Sequence, residues 1–294
     1  MRPKFLTAVA LTAVLALAGC GSNSLDTGGK KADSGKVAID EAAAAKVPAA
    51  IKEKGTLTVG TDASYAPSEF LAADGVTPQG FDVDLFNAVA AKLGLKVEWT
   101  AASFDSIIAG VNSSKYDVGV SSFTINTDRE KEVDMISYFN AGTQWATAAG
   151  NPKGVDNNNP CGFNIAVQTA TVQDTDDLPV KLKACGDKPF KVDRYEKQDE
   201  ATAAVAAGKD DAMLADSPVI AYAVQQSGGK LEALGDIYDA APYGYVVSKD
   251  NADLSAAIVM ALQSLQKDGG YEKALKAWGV EQGAITDFAI NPVK

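Results

Sequence analysis

The chain has 294 residues, with 27 Lys and Arg against 38 Asp and Glu, and its formal net charge is −11. This length suits one large or two ordinary domains, and 46% hydrophobic with 22% charged residues is a composition that forms a core. The acidic balance argues against a nucleic-acid partner, and a chain without histidine has neither histidine-dependent catalysis nor a His-ligated metal site.

The first 19 residues predict a signal peptide. Arg2 and Lys4 precede an uncharged stretch, 5–18, that is too short to cross a bilayer as a helix. It ends in Leu17-Ala18-Gly19-Cys20, which resembles the lipobox of bacterial lipoproteins. That resemblance implies that Cys20 becomes the lipidated first residue of the mature chain. A plain secretory signal with an incidental Cys20 is the alternative.

Residues 20–53 predict a flexible tether behind the lipidated cysteine. They are rich in Gly, Ser, Asp, Lys and Ala and show little apolar periodicity, with at most a short helix over 40–46. Such a coil holds a folded body clear of a membrane surface.

From residue 54 onward, predicted strands and helices alternate. The strands are 56–60, 95–100, 116–121, 163–168 and 211–214, and the helices are 81–93, 104–111, 201–207, 219–226 and 254–265. This alternation predicts an α/β fold with a mainly parallel sheet, and two such runs favour two lobes over one.

The segment 121–130 carries the most informative polar residues. Thr127 and Glu130 have capping-box spacing, which predicts a helix start near Asp128 and places Arg129 in the first turn. A guanidinium there can bind a carboxylate through two parallel hydrogen bonds. Hydroxyl groups precede it at Ser121, Ser122 and Thr124. A surface arginine paired with a neighbouring glutamate is the alternative.

Two further helix starts follow predicted strands. Thr171 and Asp174 have capping-box spacing, and unpaired N–H groups at a helix start bind anions. Asp216 precedes Pro218 and is a predicted N-cap, but a carboxylate at the end of a strand can also receive a ligand ammonium. In both segments a simple cap is the alternative.

The order of these segments resembles family 3 of the bacterial extracellular solute-binding proteins, the class for polar amino acids. The resemblance covers residues 54–279 and rests on Gly80-Phe81-Asp82-Val83-Asp84-Leu85 together with the segments 60–67, 104–108 and 121–129. It implies a periplasmic-binding-protein fold, in which two Rossmann-like lobes are joined by a two-strand hinge. Lobe 1 would comprise 54–143 and 245–294, lobe 2 would comprise 148–240, and the hinge would lie near 144–148 and 241–245.

The resemblance also assigns a ligand-binding role to individual positions. Tyr65 would stack on the ligand side chain, and Asp216 would pair with the α-ammonium. The α-ammonium would also receive oxygens from Ser122 and Thr124, with Ser121 nearby. Arg129 would bind the carboxylate, helped by backbone N–H groups near Thr171 and Val172. The family often has Gly-Thr-Thr where this chain has Ala170-Thr171-Val172. Val172 lacks the hydroxyl of that second threonine, so only its backbone N–H is expected to contact the ligand.

The side chain of the ligand is indicated only by acidic residues. Asp62, Glu69 and Asp82 lie near Tyr65 in sequence and would suit a cationic or amide side chain. All three acids could instead be structural or face solvent.

The family implies a monomeric receptor that carries no cofactor, no metal and no catalytic residue. It would stand on the outer face of the bacterial cytoplasmic membrane, held there by its lipid anchor, and deliver an amino acid to the transmembrane subunits of an ABC permease. A dehydratase on the same fold, with Asp62 or Glu69 as acid or base, is one alternative. A sensory lipoprotein that binds the same ligand is another.

Two cysteines remain once Cys20 is lipidated. Cys161 and Cys185 would both lie in lobe 2 of an exported chain, so we expect a disulfide between them. Two buried free thiols are the alternative.

Overall fold

A computed structural model describes residues 37–293 of the chain. The predicted signal peptide, Cys20 and the tether up to residue 36 lie outside the described residues.

The described residues form strands and helices in alternation. The strands are β1 Thr56–Thr61, β2 Ser64–Tyr65, β3 Glu69–Leu71, β4 Pro78–Gln79, β5 Lys96–Ala101, β6 Val118–Gly119, β7 Asp134–Ala148, β8 Asn164–Gln168, β9 Lys191–Tyr195, β10 Ala212–Asp216 and β11 Leu231–Val247. The helices are α1 Glu41–Lys46, α2 Ala49–Lys54, α3 Phe81–Lys92, α4 Phe104–Asn112, α5 Thr127–Glu132, α6 Leu178–Ala184, α7 Gln198–Ala206, α8 Ser217–Gln226, α9 Ala252–Lys267 and α10 Gly270–Lys276. Single turns of other helix types cover Gln173–Asp177, Lys249–Asn251 and Glu281–Gly283.

Eight strands form one sheet in the order β5-β1-β6-β11-β7-β10-β8-β9, and β2, β3 and β4 form a small separate sheet. β1 runs parallel to β5 and β6, and β8 runs parallel to β9 and β10. These two parallel groups define the first lobe (β5, β1, β6) and the second lobe (β10, β8, β9). The predicted α/β class is therefore observed, but the predicted mainly parallel sheet is a mixed one, because its two central strands, β7 and β11, pair antiparallel with their neighbours.

Two long antiparallel strands, β7 and β11, join the lobes. β7 pairs with β11 from Asp134 to Ala148. In the first lobe β11 also pairs with β6, and from Thr143 onward β7 also pairs with β10 of the second lobe. The register between β7 and β11 is broken between Leu234 and Tyr238, between Tyr238 and Ala241, and between Tyr243 and Gly244. Irregular pairing weakens the hydrogen bonding between two strands locally. The strands can therefore bend at these positions, between the lobes. The exact lobe and hinge bounds given above stay predictions.

Two predicted element ends shift for local reasons. The strand predicted over 116–121 contains only Val118–Gly119, and the chain adopts a left-handed conformation shortly afterwards at Ser122, which has a φ of +50°. The helix predicted to begin near Asp128 begins at Thr127 and is capped by Asn126, whose Oδ1 accepts the N–H of Arg129 at 2.9 Å. Asparagine caps a helix at least as well as threonine does.

The end of the predicted tether lies on the folded body. Residues 40–53 form α1 and α2, and their side chains Ala43, Val47 and Ile51 are buried in the core that also contains α3 and α9. The backbone N–H of Asp40 donates to the carbonyl of Lys92 at 2.8 Å. The predicted flexible tether is therefore not observed over 40–53, where Ala43, Val47 and Ile51 pack on the core.

The predicted pair Cys161 and Cys185 forms a disulfide, with the two Cα atoms 5.4 Å apart. It links the loop before β8 to the end of α6 in the second lobe. In the chain-entropy model, a closed loop of this size stabilises the fold by ~3 kcal/mol.

Candidate functional site

Four polar side chains lie at the carboxyl ends of parallel strands. Asp62 follows β1, Ser121 lies just beyond β6, Gln168 ends β8 and Asp216 ends β10. In open α/β sheets the crevice beyond these strand ends is where ligands bind. All four side chains line one cavity, which is formed by residues of both lobes.

The cavity is lined by the predicted site residues except Glu69, together with three residues that the sequence analysis missed. The full lining is Asp62, Tyr65, Phe104, Ser121, Ser122, Thr124, Arg129, Gln168, Thr171, Val172, Gln173 and Asp216. Gln168 could have been found from its position at the end of a predicted strand. Phe104 was recognised only as part of a helix stripe, and Gln173 only as part of a capped helix start.

Arg129 spans the two lobes at one end of the cavity. Its Nη1 donates to the carbonyl of Thr124 at 2.7 Å, and its Nη2 donates to the carbonyl of Ala170 at 3.0 Å. The guanidinium carbon lies 5.5 Å from the ring centroids of both Phe104 and Phe123. Burial lowers the pKa of Arg129 to about 10, so the side chain is charged at neutral pH. A fixed, charged guanidinium beside a cavity is suited to an incoming carboxylate.

Asp216 faces the cavity and does not cap the helix that it precedes. It is the N-cap residue of α8, yet its side chain accepts no hydrogen bond from that helix. The carboxylate instead accepts from the hydroxyl of Tyr65 at 2.9 Å and from Nε2 of Gln173 at 2.8 Å. Burial raises the pKa of Asp216, and these hydrogen bonds together with the charge of Arg129 oppose the rise. The cap-only alternative for Asp216 therefore does not fit the geometry.

A second group of polar atoms in the cavity is formed by Asp62 and Gln168. Nε2 of Gln168 donates to Oδ2 of Asp62 at 2.7 Å and to the carbonyl of Glu196 at 3.1 Å. Its Oε1 is buried and has no hydrogen-bond partner among residues 37–293. Burial raises the pKa of Asp62 to about 6. A carboxylate and a free amide oxygen at one place can accept hydrogen bonds from a donor group of a ligand.

Glu69 lies behind the cavity wall and supports it. Its carboxylate accepts from the hydroxyls of Ser121 and Ser122, each at 3.2 Å, and it is completely buried. Burial raises the pKa of Glu69 well above its usual range, and the charge of Asp82 raises it further. Glu69 is thus placed to orient the serine hydroxyls rather than to touch a ligand.

Asp82, the acid of the motif Gly80-Phe81-Asp82, fixes the strained turn at Ser122. It accepts the Ser122 N–H at 3.2 Å and the hydroxyl of Tyr138. Burial raises the pKa of Asp82 to about 6. Gly80 is required before it, because a Cβ there would lie 2.0 Å from the carbonyl oxygen of Ser68. The motif therefore positions the serines of the site and does not contact the cavity itself.

The described residues offer neither a metal centre nor a membrane span. Between residues 37 and 293, no cluster of three or more His, Cys, Asp or Glu side chains could hold a metal ion. No helix in the same range is long and apolar enough to traverse a bilayer.

Comparison with known proteins agrees with this geometry. Residues 57–281 match the family described as bacterial extracellular solute-binding proteins, family 3. The arginine-binding protein ArgT of Corynebacterium glutamicum is 37% identical over 250 residues, which cover 84% of this chain and 82% of that protein. The lysine/arginine/ornithine-binding periplasmic protein of Escherichia coli is 29% identical over 76% of this chain and 87% of its own length. Both relatives are named as binding proteins.

Among solved structures, an ancestral arginine-binding protein bound to arginine has a similar fold. It superposes with a TM-score of 0.71 at 34% identity, and the match covers 76% of this chain and 98% of that one. The similarity confirms the predicted two-lobe architecture.

Proposed function

Because the chain belongs to the family 3 bacterial extracellular solute-binding proteins, we propose that it binds an amino acid with a cationic side chain, arginine first of all, between its two lobes. Two similar proteins named for binding arginine, one of them also for lysine and ornithine, support this choice of ligand. Further support comes from the solved structure with bound arginine.

The observation that carries the proposal is the pair of acceptors at Asp62 and Gln168. The orphaned Oε1 of Gln168 is buried, and a buried acceptor without a partner costs about 1–3 kcal/mol. A guanidinium or ammonium group supplies both the missing donor and the counter-charge for Asp62. A neutral aliphatic side chain supplies neither, so it would leave the penalty in place.

The remaining polar groups fix the backbone of the ligand. Arg129 would bind the α-carboxylate, and Asp216 would pair with the α-ammonium, with Ser121, Ser122 and Thr124 beside them. Thr171 and Val172 line the same region, where backbone N–H groups can add to the carboxylate contact. The two charged ends of a zwitterion would thus meet an arginine carried by α5 and an aspartate carried by the second lobe.

Binding would exchange partners within the site. Tyr65, from the first lobe, donates to Asp216 at 2.9 Å. An ammonium at Asp216 replaces that bond with a charge-assisted one and frees the Tyr65 ring to stack on the ligand side chain. Closure of two lobes on a ligand that touches both is a common form of domain motion.

A thermal-shift screen over the twenty amino acids and ornithine tests the proposal. Arginine, lysine or ornithine is expected to give the largest shift, because a ligand at 100 times its dissociation constant adds about 2.7 kcal/mol of stability. A larger shift with a neutral amino acid would refute the cationic side-chain site, and no shift with any of them would refute amino-acid binding.

Asp62→Asn is expected to weaken arginine binding at pH 7.5 by about tenfold or more and to flatten its pH dependence. The raised pKa of about 6 means that the folded protein keeps a proton on Asp62 at pH values between 3.8 and 6, where the unfolded chain has lost it. The stability gained from that proton is lost as pH rises through 6. A cationic ligand favours the ionised carboxylate, so wild-type affinity should fall as pH drops below 6.

Calorimetric titration with arginine at pH 5, 6 and 7.5 measures this difference. Asp253→Asn, which changes an exposed acid at the start of α9, is the matched control and should leave affinity unchanged. Parallel pH profiles for the wild type and Asp62→Asn would remove Asp62 from the ligand site.

We further propose that the protein is a monomer tethered by a lipid on Cys20 to the outer face of the cytoplasmic membrane, where it delivers its ligand to an ABC permease. A diacyl anchor supplies the two chains that stable attachment requires. A sensory role without a permease remains the second candidate, and permease and ATPase genes beside its own gene would favour transport.

Cys20→Ser is expected to release the protein from the membrane fraction while arginine affinity stays unchanged. Fractionation of cells followed by immunoblotting measures this. The double variant Cys161→Ser/Cys185→Ser keeps Cys20 and should stay with the membrane, which separates lipidation from the disulfide. Retention of the Cys20→Ser protein in the membrane fraction would contradict the anchor.

A further inference from the structure

A further contact between the lobes, made by two aromatic rings, lies outside the cavity. The rings of Phe70, on β3, and Tyr222, on α8, have centroids 5.9 Å apart and are tilted by 48°. Both side chains are half-buried, and neither lines the cavity. We call this pair the outer aromatic contact.

The two rings are carried by different lobes. Tyr222 belongs to α8, whose neighbouring residues Ala223 and Val224 pack against the core of the second lobe. Phe70 packs edge-on against Trp278 at 5.8 Å, and the indole N–H of Trp278 donates to Asp84 of α3 at 2.9 Å. Phe70 is therefore backed by the first lobe, and its contact with Tyr222 requires that the lobes be closed.

The same two structural elements also carry residues of the site. β2 and β3 pair through Tyr65 and Glu69, and Phe70 directly follows Glu69. α8 begins directly after Asp216 and presents Tyr222 less than two turns later. The β2–β3 hairpin and α8 are thus joined twice, once inside the cavity by Tyr65 and Asp216 and once outside by the outer aromatic contact.

Ligand binding affects these two connections differently. An ammonium at Asp216 replaces the Tyr65 hydroxyl, so the inner connection then depends on the ligand. Because Phe70 and Tyr222 do not line the cavity, no ligand needs to displace them. The outer aromatic contact is the one that persists between the hairpin and α8 when the site is filled.

We propose that Phe70 and Tyr222 are positioning residues that hold the lobes closed over the bound amino acid and so set its rate of dissociation. This inference rests on the proposed function. A paired aromatic contact contributes roughly a 3- to 10-fold factor to an equilibrium constant beyond the apolar area that it buries. Since the contact is absent while the cleft is open, the factor falls on dissociation and not on association.

Stopped-flow and calorimetric titration of the full chain with arginine test the proposal through Phe70→Ala, Tyr222→Ala and the double variant. Each single variant is expected to raise the dissociation rate by roughly 3- to 10-fold, with an association rate within about twofold of the wild type. The double variant should be no worse than the poorer single variant, because both changes remove the same contact. Leu71→Ala, a change at the exposed neighbour of Phe70 on β3, is the matched control and should leave both rates unchanged.

Thermal melting without ligand separates positioning from a structural role. Phe70→Leu keeps an apolar side chain behind Trp278, so it preserves the fold if Phe70→Ala does not, and it should still speed dissociation. A lower melting temperature with an unchanged dissociation rate in these variants would overturn the inference, as would additive effects in the double variant. If the wild type binds arginine and the variants have the same dissociation rate as the wild type, this inference alone is wrong. Wild-type protein that binds no amino acid would defeat the proposed function as well.

Discussion

Arg129→Ala is expected to lower the affinity for arginine by at least about 30-fold. The substitution leaves the ligand carboxylate buried without its charged partner, and losing one member of such a pair costs about 2–5 kcal/mol. The guanidinium is held by the carbonyls of Thr124 and Ala170, so it is already oriented before the ligand arrives. Calorimetric titration measures the loss.

Two comparisons make the Arg129 experiment specific. Lys131→Ala, on the same helix, removes an exposed cation paired with Asp128 and should leave affinity unchanged. An arginine analogue without the α-carboxylate should bind the wild type weakly and should lose little more in Arg129→Ala. If the variant binds arginine within about threefold of the wild type, or if it loses the analogue and arginine equally, Arg129 does not bind the carboxylate.

Asp216→Asn is expected to weaken binding by at least about tenfold while the ligand-free protein stays folded. The change keeps the shape of the side chain but removes the charge that faces the α-ammonium. Helix capping cannot account for a loss, because the Asp216 side chain makes no capping hydrogen bond to α8. Titration with arginine, together with a thermal melt of the ligand-free variant, measures both properties.

Asp40→Asn is the matched control for Asp216→Asn. Asp40 is a genuine cap, since its Oδ1 accepts the N–H of Ala43 at 3.0 Å. Asparagine caps about as well as aspartate, so this change should be nearly silent in both stability and affinity. If Asp216→Asn also leaves the affinity for arginine unchanged, Asp216 does not contact the α-ammonium. If both Asp216→Asn and Arg129→Ala leave the affinity unchanged, the zwitterion site as a whole is refuted.

The sequence alone determined the elements whose evidence is periodic. Its clearest apolar stripe, in 254–265, is the buried face of α9, where the side chains are at most 1% exposed. Every fourth residue from Phe81 onward likewise faces the core from α3. Burial of one helix face requires this repeat whatever the helix packs against, so it can be read without knowing the partner.

Three of the predicted lining residues, Asp62, Ser121 and Asp216, stand at or just beyond the ends of strands, and the others were assigned from helix starts and the family resemblance. In an α/β sheet these ends share one edge, so a local position in the chain predicts a shared position in space. The family resemblance added a role to each of them. It could not show that Glu69 supports the serines from behind, because that depends on side chains that are about fifty residues away.

Tertiary structure decided whatever depends on partners distant in the chain. Gln168 meets Asp62 across 106 residues, and Tyr65 meets Asp216 across 151. α1 lies on the core and not in the tether because α9, some two hundred residues later, packs against it, and α2 packs against β1. Local sequence patterns reflect helix and strand propensity and helix capping, which depend on residues only a few positions apart. The unpaired oxygen of Gln168 and the contact between Phe70 and Tyr222 exist only once the lobes have folded together.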